Sequence, residues 1–368
     1  MIYLDYAANT PVDDDVLNTF NEATKKYIAN PNSSHPLGIL AKEKIDECSS
    51  IIANYFNMDK SSVIYTSGSS ESNNLVIKGI AESRKKYGNK IIISAVEHSS
   101  IVAPCNYLAN KGYDISIIPL TKDGIIDLEI LKNEIDDSTI LVSVCTVDSE
   151  LGTIQPIQEI VNIIKDHKNC IFHTDATQAI GKVNIDYNGV DFITFAPHKF
   201  FGLNGFGVLL NKNDVKISPL IHGGKSTTIY RSGTPVTANV VALEKALSKS
   251  LNNLEERYNY AKKLNKILRD ELSKIECVHI NSPENTIPNT LNISLINKDT
   301  KNIIKRLEEN NICISMSSAC SMSGSPSKSV LAITGDRELA LNTIRISISH
   351  LTTKDEIMQF LNIFESLI

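Results

Sequence analysis

The stretch "CIFHTDATQAIGKVNIDYNGVDFITFAPHKFFGLNGFGVLLNK", Cys170 to Lys212, contains three short apolar runs, "CIFHTDAT", "VDFITFA" and "GFGVLLNK". Polar residues end the first two runs: Asp175 and Gln178 belong to the first, and Lys199 follows the second. Runs that are apolar throughout, without strict alternation, are typical of strands covered on both faces of a sheet. The stretch therefore predicts strands of one buried sheet whose ends carry reactive side chains.

The same pattern extends over the chain before this stretch. The apolar runs "SSVIYTSG", "KIIISAVEH", "DISIIPL" and "TILVSVCTV" alternate with helical patterns. Such alternation predicts an α/β fold with a mainly parallel, seven-stranded sheet. After a helical region near 236–272 the rhythm changes to two strand-like runs and two helices, which is typical of a smaller α+β domain. We predict a large domain over 15–245 and a small domain formed by 1–14 and 246–368.

Composition excludes several classes of function. The 368 residues are 42% hydrophobic and 21% charged, as in ordinary globular proteins, and the net charge of −5 gives no positive surface for nucleic acid or anionic lipid. No secretory signal or membrane-length apolar run is recognisable, so we expect a cytoplasmic protein. The seven cysteines contain no C-x-x-C pair, which predicts neither a metal site nor a disulfide framework.

Candidate site residues follow the apolar runs, because ligands of open α/β sheets bind beyond the carboxyl ends of the strands. The polar groups at these ends share one predicted sheet edge. They are Thr66–Ser70, Glu97-His98, Asp148-Ser149-Glu150, His173-Thr174-Asp175 with Gln178, and His198-Lys199.

Three of these groups together predict a site for pyridoxal 5'-phosphate (PLP). The turn "YTSGSSESNN" ends a strand and opens a helix, where backbone N–H groups favour an anion such as phosphate. Lys199, beside the apolar "FFG", is suited to attack an aldehyde, and a buried Asp175 requires a cation such as a protonated pyridine nitrogen. Each feature alone has an ordinary explanation, as a helix cap or a solvated lysine, and only the ordered set points to PLP.

In these motifs and their order, the chain resembles the cysteine desulfurases of the NifS/IscS group, among the class V aminotransferase-like, fold-type I PLP-dependent enzymes. The resemblance runs nearly end to end. It is carried by "YLDYAANTPVD", "NPNSSHPLG", "TSGSSESNN", "EHSSI", "ELGTIQPI", "HTDATQAIGK", "HKFFG", "RSGT", "SSAC" and "IRIS".

The resemblance implies roles for residues around the PLP ring. Lys199 would hold PLP as a Schiff base and later move the proton of the substrate Cα. Asp175 would pair with the pyridinium nitrogen, and Gln178 would bind the ring 3-oxygen. His98 would stack on the face of the ring.

It also implies how the phosphate and the substrate are held. Ser69, Ser70 and His198 would hold the phosphate, joined by Thr234 from the neighbouring subunit of a homodimer. Arg345 would bind the substrate carboxylate, which suits its planar fork of donors.

Cys320 lies in "ISMSSACSMSGSPSKSVL", Ile314 to Leu331, a polar loop that offers it no apolar face. The resemblance implies that Cys320 attacks the sulfur of L-cysteine and leaves as a persulfide. A loop of small residues has the mobility to carry that sulfur to an acceptor protein, such as an iron–sulfur scaffold or a tRNA-thiolation enzyme. No direct contact with nucleic acid or membrane is expected.

The chain departs from the family at several site positions. Ser149 replaces an asparagine that contacts the 3-oxygen and the substrate carboxylate, and Asp148 is expected to add a negative charge near the substrate. Ala196 replaces a phosphate-binding serine, and "GGKSTTI" replaces a stretch like "GGGQERG". Two alternatives therefore stay open: another PLP-dependent lyase or aminotransferase for a small amino acid, and a non-catalytic scaffold.

Overall fold

The strands of the described residues form three sheets. The computed structural model describes residues 1–212, 215–316 and 325–368. Its strands are β1 (Ile2–Tyr3), β2 (Val63–Thr66), β3 (Lys90–Ser94), β4 (Asp114–Ile118), β5 (Thr139–Ser143), β6 (Ile171–Asp175), β7 (Phe192–Phe195), β8 (Gly207–Asn211), β9 (Val278–Ile280), β10 (Thr290–Leu295), β11 (Ile312–Cys313) and β12 (Thr343–Ser347).

The large sheet has seven strands in the order β2-β8-β7-β6-β5-β3-β4. Strands β4, β3, β5, β6 and β7 pair in parallel, and β8 runs antiparallel to both β7 and β2. This confirms the predicted α/β fold with a mainly parallel, seven-stranded sheet. The carboxyl ends of the parallel strands consequently share one edge, at which the candidate residues were expected.

Helices pack on both faces of this sheet and against the three-stranded sheet β12-β10-β9. They are α1 (Asp14–Lys26), α2 (Pro36–Asn54), α3 (Ser69–Arg84), α4 (Ser99–Ala109), α5 (Leu128–Glu134), α6 (Ile157–Ile164), α7 (Thr237–Asn252), α8 (Leu254–Leu272), α9 (Thr300–Glu309), α10 (Lys328–Thr334), α11 (Arg337–Leu341) and α12 (Lys354–Leu367). The predicted helical region near 236–272 is thus two helices. No helix of the described ranges is long and apolar enough to cross a membrane.

Alternate residues of the buried strands pack into different cores, one on each face of the large sheet. In β3, Ile91 and Ile93 belong to the core with α3 and α4, whereas Ile92 belongs to the opposite core with Val142 of β5. Fully burying one such side chain contributes about 1.5–3 kcal/mol. This two-sided burial explains why the strand sequences are apolar throughout.

A separate core joins both ends of the chain. Leu4 packs there with residues of β10, β12 and α12, and the Leu4 carbonyl accepts a hydrogen bond from the Ser347 N–H group (2.8 Å). The β1 strand also pairs in parallel with β11. The segment after β1 is therefore fixed to the core that contains β10, β12 and α12. The division into domains at 15–245 and 1–14 plus 246–368 stays a prediction.

Gly207 is required where β8 meets the turn before α3. A Cβ atom at this position would lie 2.5 Å from the carbonyl carbon of Gly68. Real contacts are never this short, so a larger residue would displace the turn. The close approach holds the N-terminus of α3 against the sheet edge.

Candidate active site

A cavity of about 420 Å³ lies at the carboxyl edge of the large sheet. Most of the predicted site residues line it, although they come from five separate parts of the chain. These residues are Ser69, Ser70, His98, Ser149, Asp175, Gln178, His198 and Lys199. The sheet topology therefore brings together the groups that the sequence predicted at one edge.

The turn before α3 offers hydroxyl and N–H groups to this cavity. The Ser69 hydroxyl lies 2.8 Å from the Thr177 hydroxyl, which follows β6. The Glu71 carboxylate accepts the Ser67 N–H (2.7 Å) and pairs with Arg231 (2.9 Å). The helix N-terminus and these hydroxyls together favour an anion.

Asp175 ends β6 with its carboxylate buried beside the cavity. The Asn73 side-chain amide of α3 donates to Oδ2 (2.7 Å), and the Thr177 N–H donates to Oδ1 (3.0 Å). Both donors are neutral, so they do not balance the negative charge. A buried carboxylate of this kind is stabilised by a cationic ligand group.

His98 is connected to Asp175 through α3 and α4. The Asn73 amide also donates to the Ser100 hydroxyl (2.8 Å), which lies 2.8 Å from Nδ1 of His98. Because the Ser100 N–H donates to the same Nδ1 (3.2 Å), that nitrogen accepts, and the neutral ring carries its proton on Nε2. Burial lowers the pKa of His98, which keeps the ring neutral.

Lys199 ends a short 3-10 turn after β7 and reaches across to the segment after β1. Its Nζ donates to the carbonyls of Ala7 (2.9 Å) and Ala8 (2.5 Å). Beside it, His198 lines the cavity, and burial together with the Lys199 ammonium lowers the pKa of His198 to about 4. The His198 imidazole is accordingly a neutral hydrogen-bonding group at neutral pH.

Lys182 fixes the amide of Gln178. Its Nζ donates to Gln178 Oε1 (2.5 Å), so the Gln178 NH₂ group faces the other way and donates to the Ala7 carbonyl (3.0 Å). Burial, with the charges of Lys199 and Arg345, lowers the pKa of Lys182 to about 7. Sequence reasoning quoted Lys182 but gave it no role, although its spacing of four residues from Gln178 was available.

Asn73 was missed in the same way. It lies one helical turn after Ser69 and Ser70 in the quoted "TSGSSESNN" motif, a spacing that places side chains on the same helix face. Its contact with Asp175 spans 102 residues of sequence, so that no local pattern could identify the partner.

Arg345 does not line the cavity. Its side chain is buried, with one guanidinium nitrogen 3.0 Å from Asp5 Oδ1 and another donating to the Ser149 carbonyl (3.0 Å). Its Nε is buried without a hydrogen-bond partner among the described residues. Arg345 therefore stands behind Ser149, which does line the cavity.

Thr234, which was predicted to hold the phosphate from the neighbouring subunit, lies apart from the cavity. Thr234 is exposed on the loop between β8 and α7 and does not line the cavity. Cys320 lies outside the described residues.

The expectation that Asp148 adds negative charge beside the substrate is wrong for this structure. Asp148 does not line the cavity; its carboxyl group accepts from the Leu151 N–H (2.7 Å) and the Ser329 hydroxyl (3.0 Å). Burial and the nearby Glu150 raise its pKa to about 7. The turn at the end of the strand places Ser149, not Asp148, at the cavity.

Comparisons with known proteins agree with this geometry. The model of the family described as aminotransferase class-V matches residues 2–360. The chain is 40% identical to the cysteine desulfurase IscS of Buchnera aphidicola subsp. Baizongia pistaciae, over 97% of this chain and 90% of that protein. The chain belongs to the class-V aminotransferase family, in its NifS/IscS cysteine desulfurase group.

Solved structures of the group superpose over nearly the whole chain. A structure titled NifS-like protein has a TM-score of 0.93 and 32% identity, covering 100% of this chain and 99% of that one. The structure titled SspA in complex with cysteine has a TM-score of 0.83 and 30% identity, covering 95% of this chain and 99% of that one. As a member of this desulfurase group, the chain is an enzyme.

Proposed function

We propose that this protein removes the sulfur atom of L-cysteine with PLP as cofactor, releasing L-alanine and leaving the sulfur as a persulfide on Cys320. The observation that carries this proposal is one cavity that combines the Lys199 amine, the buried Asp175 carboxylate and the hydroxyl-rich N-terminus of α3. Membership of the cysteine desulfurase group supports the same substrate.

The residues of the cavity fit PLP. The negative charge of Asp175, which has neutral donors from Asn73 and Thr177, suits a protonated pyridine nitrogen. Ser69, Ser70 and His198 line the region suited to a phosphate. A cavity of about 420 Å³ has the size of an ordinary cofactor or ligand site.

The chemistry that PLP supplies when bound is an electron sink for the electron pair left at the substrate Cα. Lys199 Nζ would form the covalent attachment to the cofactor and, as a neutral amine, take the proton from Cα. Asp175 would hold the pyridinium, and Gln178, fixed by Lys182, would direct its NH₂ group toward an oxygen acceptor. His98 would cover the ring with its neutral imidazole.

The sulfur transfer is balanced without an outside oxidant. The Cys320 thiolate would attack the sulfur of the substrate, and the bond between this sulfur and the substrate Cβ would break. The electron pair of that bond stays with carbon, which takes up a proton and becomes the methyl group of alanine. Cys320 retains the sulfur as a persulfide until an acceptor, which stays a prediction, removes it.

We also propose a homodimer, in which Thr234 completes the phosphate site of the partner. The segment before and at the start of α2 contacts the loop after β8 through Asn32 and Ser226 (3.1 Å). Large apolar side chains are exposed on both segments: Leu37, Ile39, Leu40, Ile221, Ile229 and Val236. A second copy of the chain would cover this surface. Thr234 of one copy, which does not line the cavity of its own chain, would then reach the cavity of the other copy.

Lys199→Ala should abolish covalent attachment of PLP, because Lys199 is the lysine that lines the cavity in the described part of the chain. The measurement is borohydride reduction of the PLP-loaded protein followed by peptide mapping. Lys182→Met serves as the control, since Lys182 contacts Gln178 and should keep the label on Lys199. A reduced phosphopyridoxyl group on any lysine other than Lys199 contradicts the assignment.

Ile229→Glu should convert the dimer to monomers and weaken PLP retention. Ile229 is 61% exposed on the proposed interface, and a buried unpaired charge there is destabilising. The matched control is Ile117→Glu, because Ile117 is 58% exposed on the edge strand β4. Light scattering and the PLP absorbance report the two effects. A wild-type monomer that retains PLP fully would exclude the homodimer.

Cys320→Ser should bind L-cysteine, as judged by the change in the visible spectrum, but release alanine several orders of magnitude more slowly. A serine hydroxyl at neutral pH is a far poorer nucleophile than a thiolate. Cys145→Ser is a demanding control, because Cys145 lines the cavity, and burial raises its thiol pKa well above the ordinary value. Cys313→Ser, in β11, is a second control.

Both controls should turn over normally, and mass mapping should find the added sulfur on Cys320. Normal alanine release by Cys320→Ser, or sulfur mapped to another cysteine, would overturn this mechanism. A keto acid product in place of alanine would favour a different PLP-dependent lyase or aminotransferase.

A further inference from the structure

The turn after β5 is closed by the side chain of Asp148. Its Oδ2 accepts the Leu151 N–H (2.7 Å), while its backbone carbonyl accepts the Gly152 N–H (3.1 Å) and its N–H donates to the Thr153 carbonyl (3.0 Å). Asp148 thus determines the path of the turn on which Ser149 projects into the cavity.

The same turn is bound to the start of α10 by two carboxyl–hydroxyl contacts. Ser329 donates to Asp148 Oδ1 (3.0 Å), and Ser327 donates to Glu150 Oε2. All four residues are at least nine-tenths buried. Ser327 is also the N-cap of α10, where its hydroxyl accepts the Val330 N–H (3.1 Å). The contacts therefore hold the first turn of α10 against the end of β5.

Between these two carboxyl residues, Ser149 faces both the cavity and Arg345. Its side chain lines the cavity, and its carbonyl accepts from the Arg345 guanidinium (3.0 Å), which also pairs with Asp5 (3.0 Å). Three consecutive residues thus connect α10, the cavity and Arg345. In the sequence, α10 begins eight residues after Cys320.

We propose that Asp148 and Glu150 are positioning residues of the sulfur-transfer step: they fix Ser149 and the first turn of α10 with respect to the cavity. The inference rests on the proposed function and deepens it. Neither residue lines the cavity, so they act through Ser149, Ser327 and Ser329. Their loss should slow sulfur transfer in protein that still holds PLP.

The surroundings of Asp148 allow its carboxyl group to lose a proton near neutral pH, whereas an asparagine at this position could not ionise. Burial and Glu150 raise its pKa from 3.8 to about 7. Among the described residues, the other ionisable groups of the surrounding elements are Cys145 two residues after β5, Arg345 on β12 and Lys328 on α10. Asp336, the N-cap of α11, and Arg337 and Glu338 of α11 are exposed. Near neutral pH, Asp148 therefore changes between a neutral and a charged carboxyl group beside Glu150.

The raised pKa of Asp148 makes the folded protein less stable as the pH rises. The folded protein keeps the Asp148 proton up to about pH 7, whereas the unfolded chain releases it near the ordinary value of 3.8. The stability that the neutral Asp148 carboxyl group contributes is fully present below pH 3.8, the pKa in the unfolded chain. It is lost as the pH rises through the folded pKa of about 7. Asparagine retains an acceptor for Leu151 and a group that can bond Ser329, but it does not ionise.

The test compares Asp148→Ala, Asp148→Asn and Ser329→Ala in the PLP-loaded full chain. Asp148→Ala should lower kcat for alanine release about ten- to hundredfold, as expected when buried hydrogen-bonding groups lose their partner, with an unchanged PLP absorbance. Ser329→Ala should lower kcat in the same direction, and Asp148→Asn should restore most of it. Glu150→Ala and Glu150→Gln form the equivalent pair.

The melting temperature gives a readout that is independent of activity. As the pH rises from 5 to 8, the melting temperature of Asp148→Asn should rise relative to that of the wild type. The reason is that unfolding releases the Asp148 proton only in the wild type. Asp148→Ala and Ser329→Ala with wild-type kcat per bound PLP would overturn the positioning role, and so would equal kcat losses in Asp148→Asn and Asp148→Ala. Failure of the proposed function itself is distinct, since the wild type would then release no alanine.

Discussion

The buried carboxylate of Asp175 is the constraint on which the site depends. Its charge stands at the end of β6 with hydrogen bonds from the neutral Asn73 amide and the Thr177 N–H group. Burying a carboxylate is unfavourable unless donors and a positive group surround it. Asn73 connects this charge to α3, and through Ser100 to His98. One buried charge is thereby connected both to α3, whose N-terminus favours an anion, and to the His98 imidazole at the cavity.

Much of the fold was predictable because the strands are apolar on both faces and end in polar residues. The large sheet, its mainly parallel pairing and the polar edge all follow from local runs such as "CIFHTDAT". Ser69, Ser70, His98, Asp175, Gln178, His198 and Lys199 could be assigned to one edge for the same reason. Local patterns suffice for residues that directly follow strands.

Contacts between distant segments could not be predicted from the sequence. Arg345 binds Asp5 and the Ser149 carbonyl, and the N-terminal carbonyls of Ala7 and Ala8 accept from Lys199. The orientation of Asp148 toward Ser329 was equally inaccessible, because it depends on which side chains α10 presents to the turn. In each case the partner lies more than a hundred residues away, so that only the tertiary structure brings the pair together.

The central claim is that the enzyme removes sulfur from L-cysteine at this cavity and releases alanine. The most direct measurement quantifies alanine and sulfide together, after PLP-loaded protein is incubated with L-cysteine and a thiol reductant. We predict equal molar amounts of the two products, because each substrate molecule yields one carbon product and one transferred sulfur atom. A keto acid in place of alanine, or alanine without an equal amount of sulfide, would contradict it.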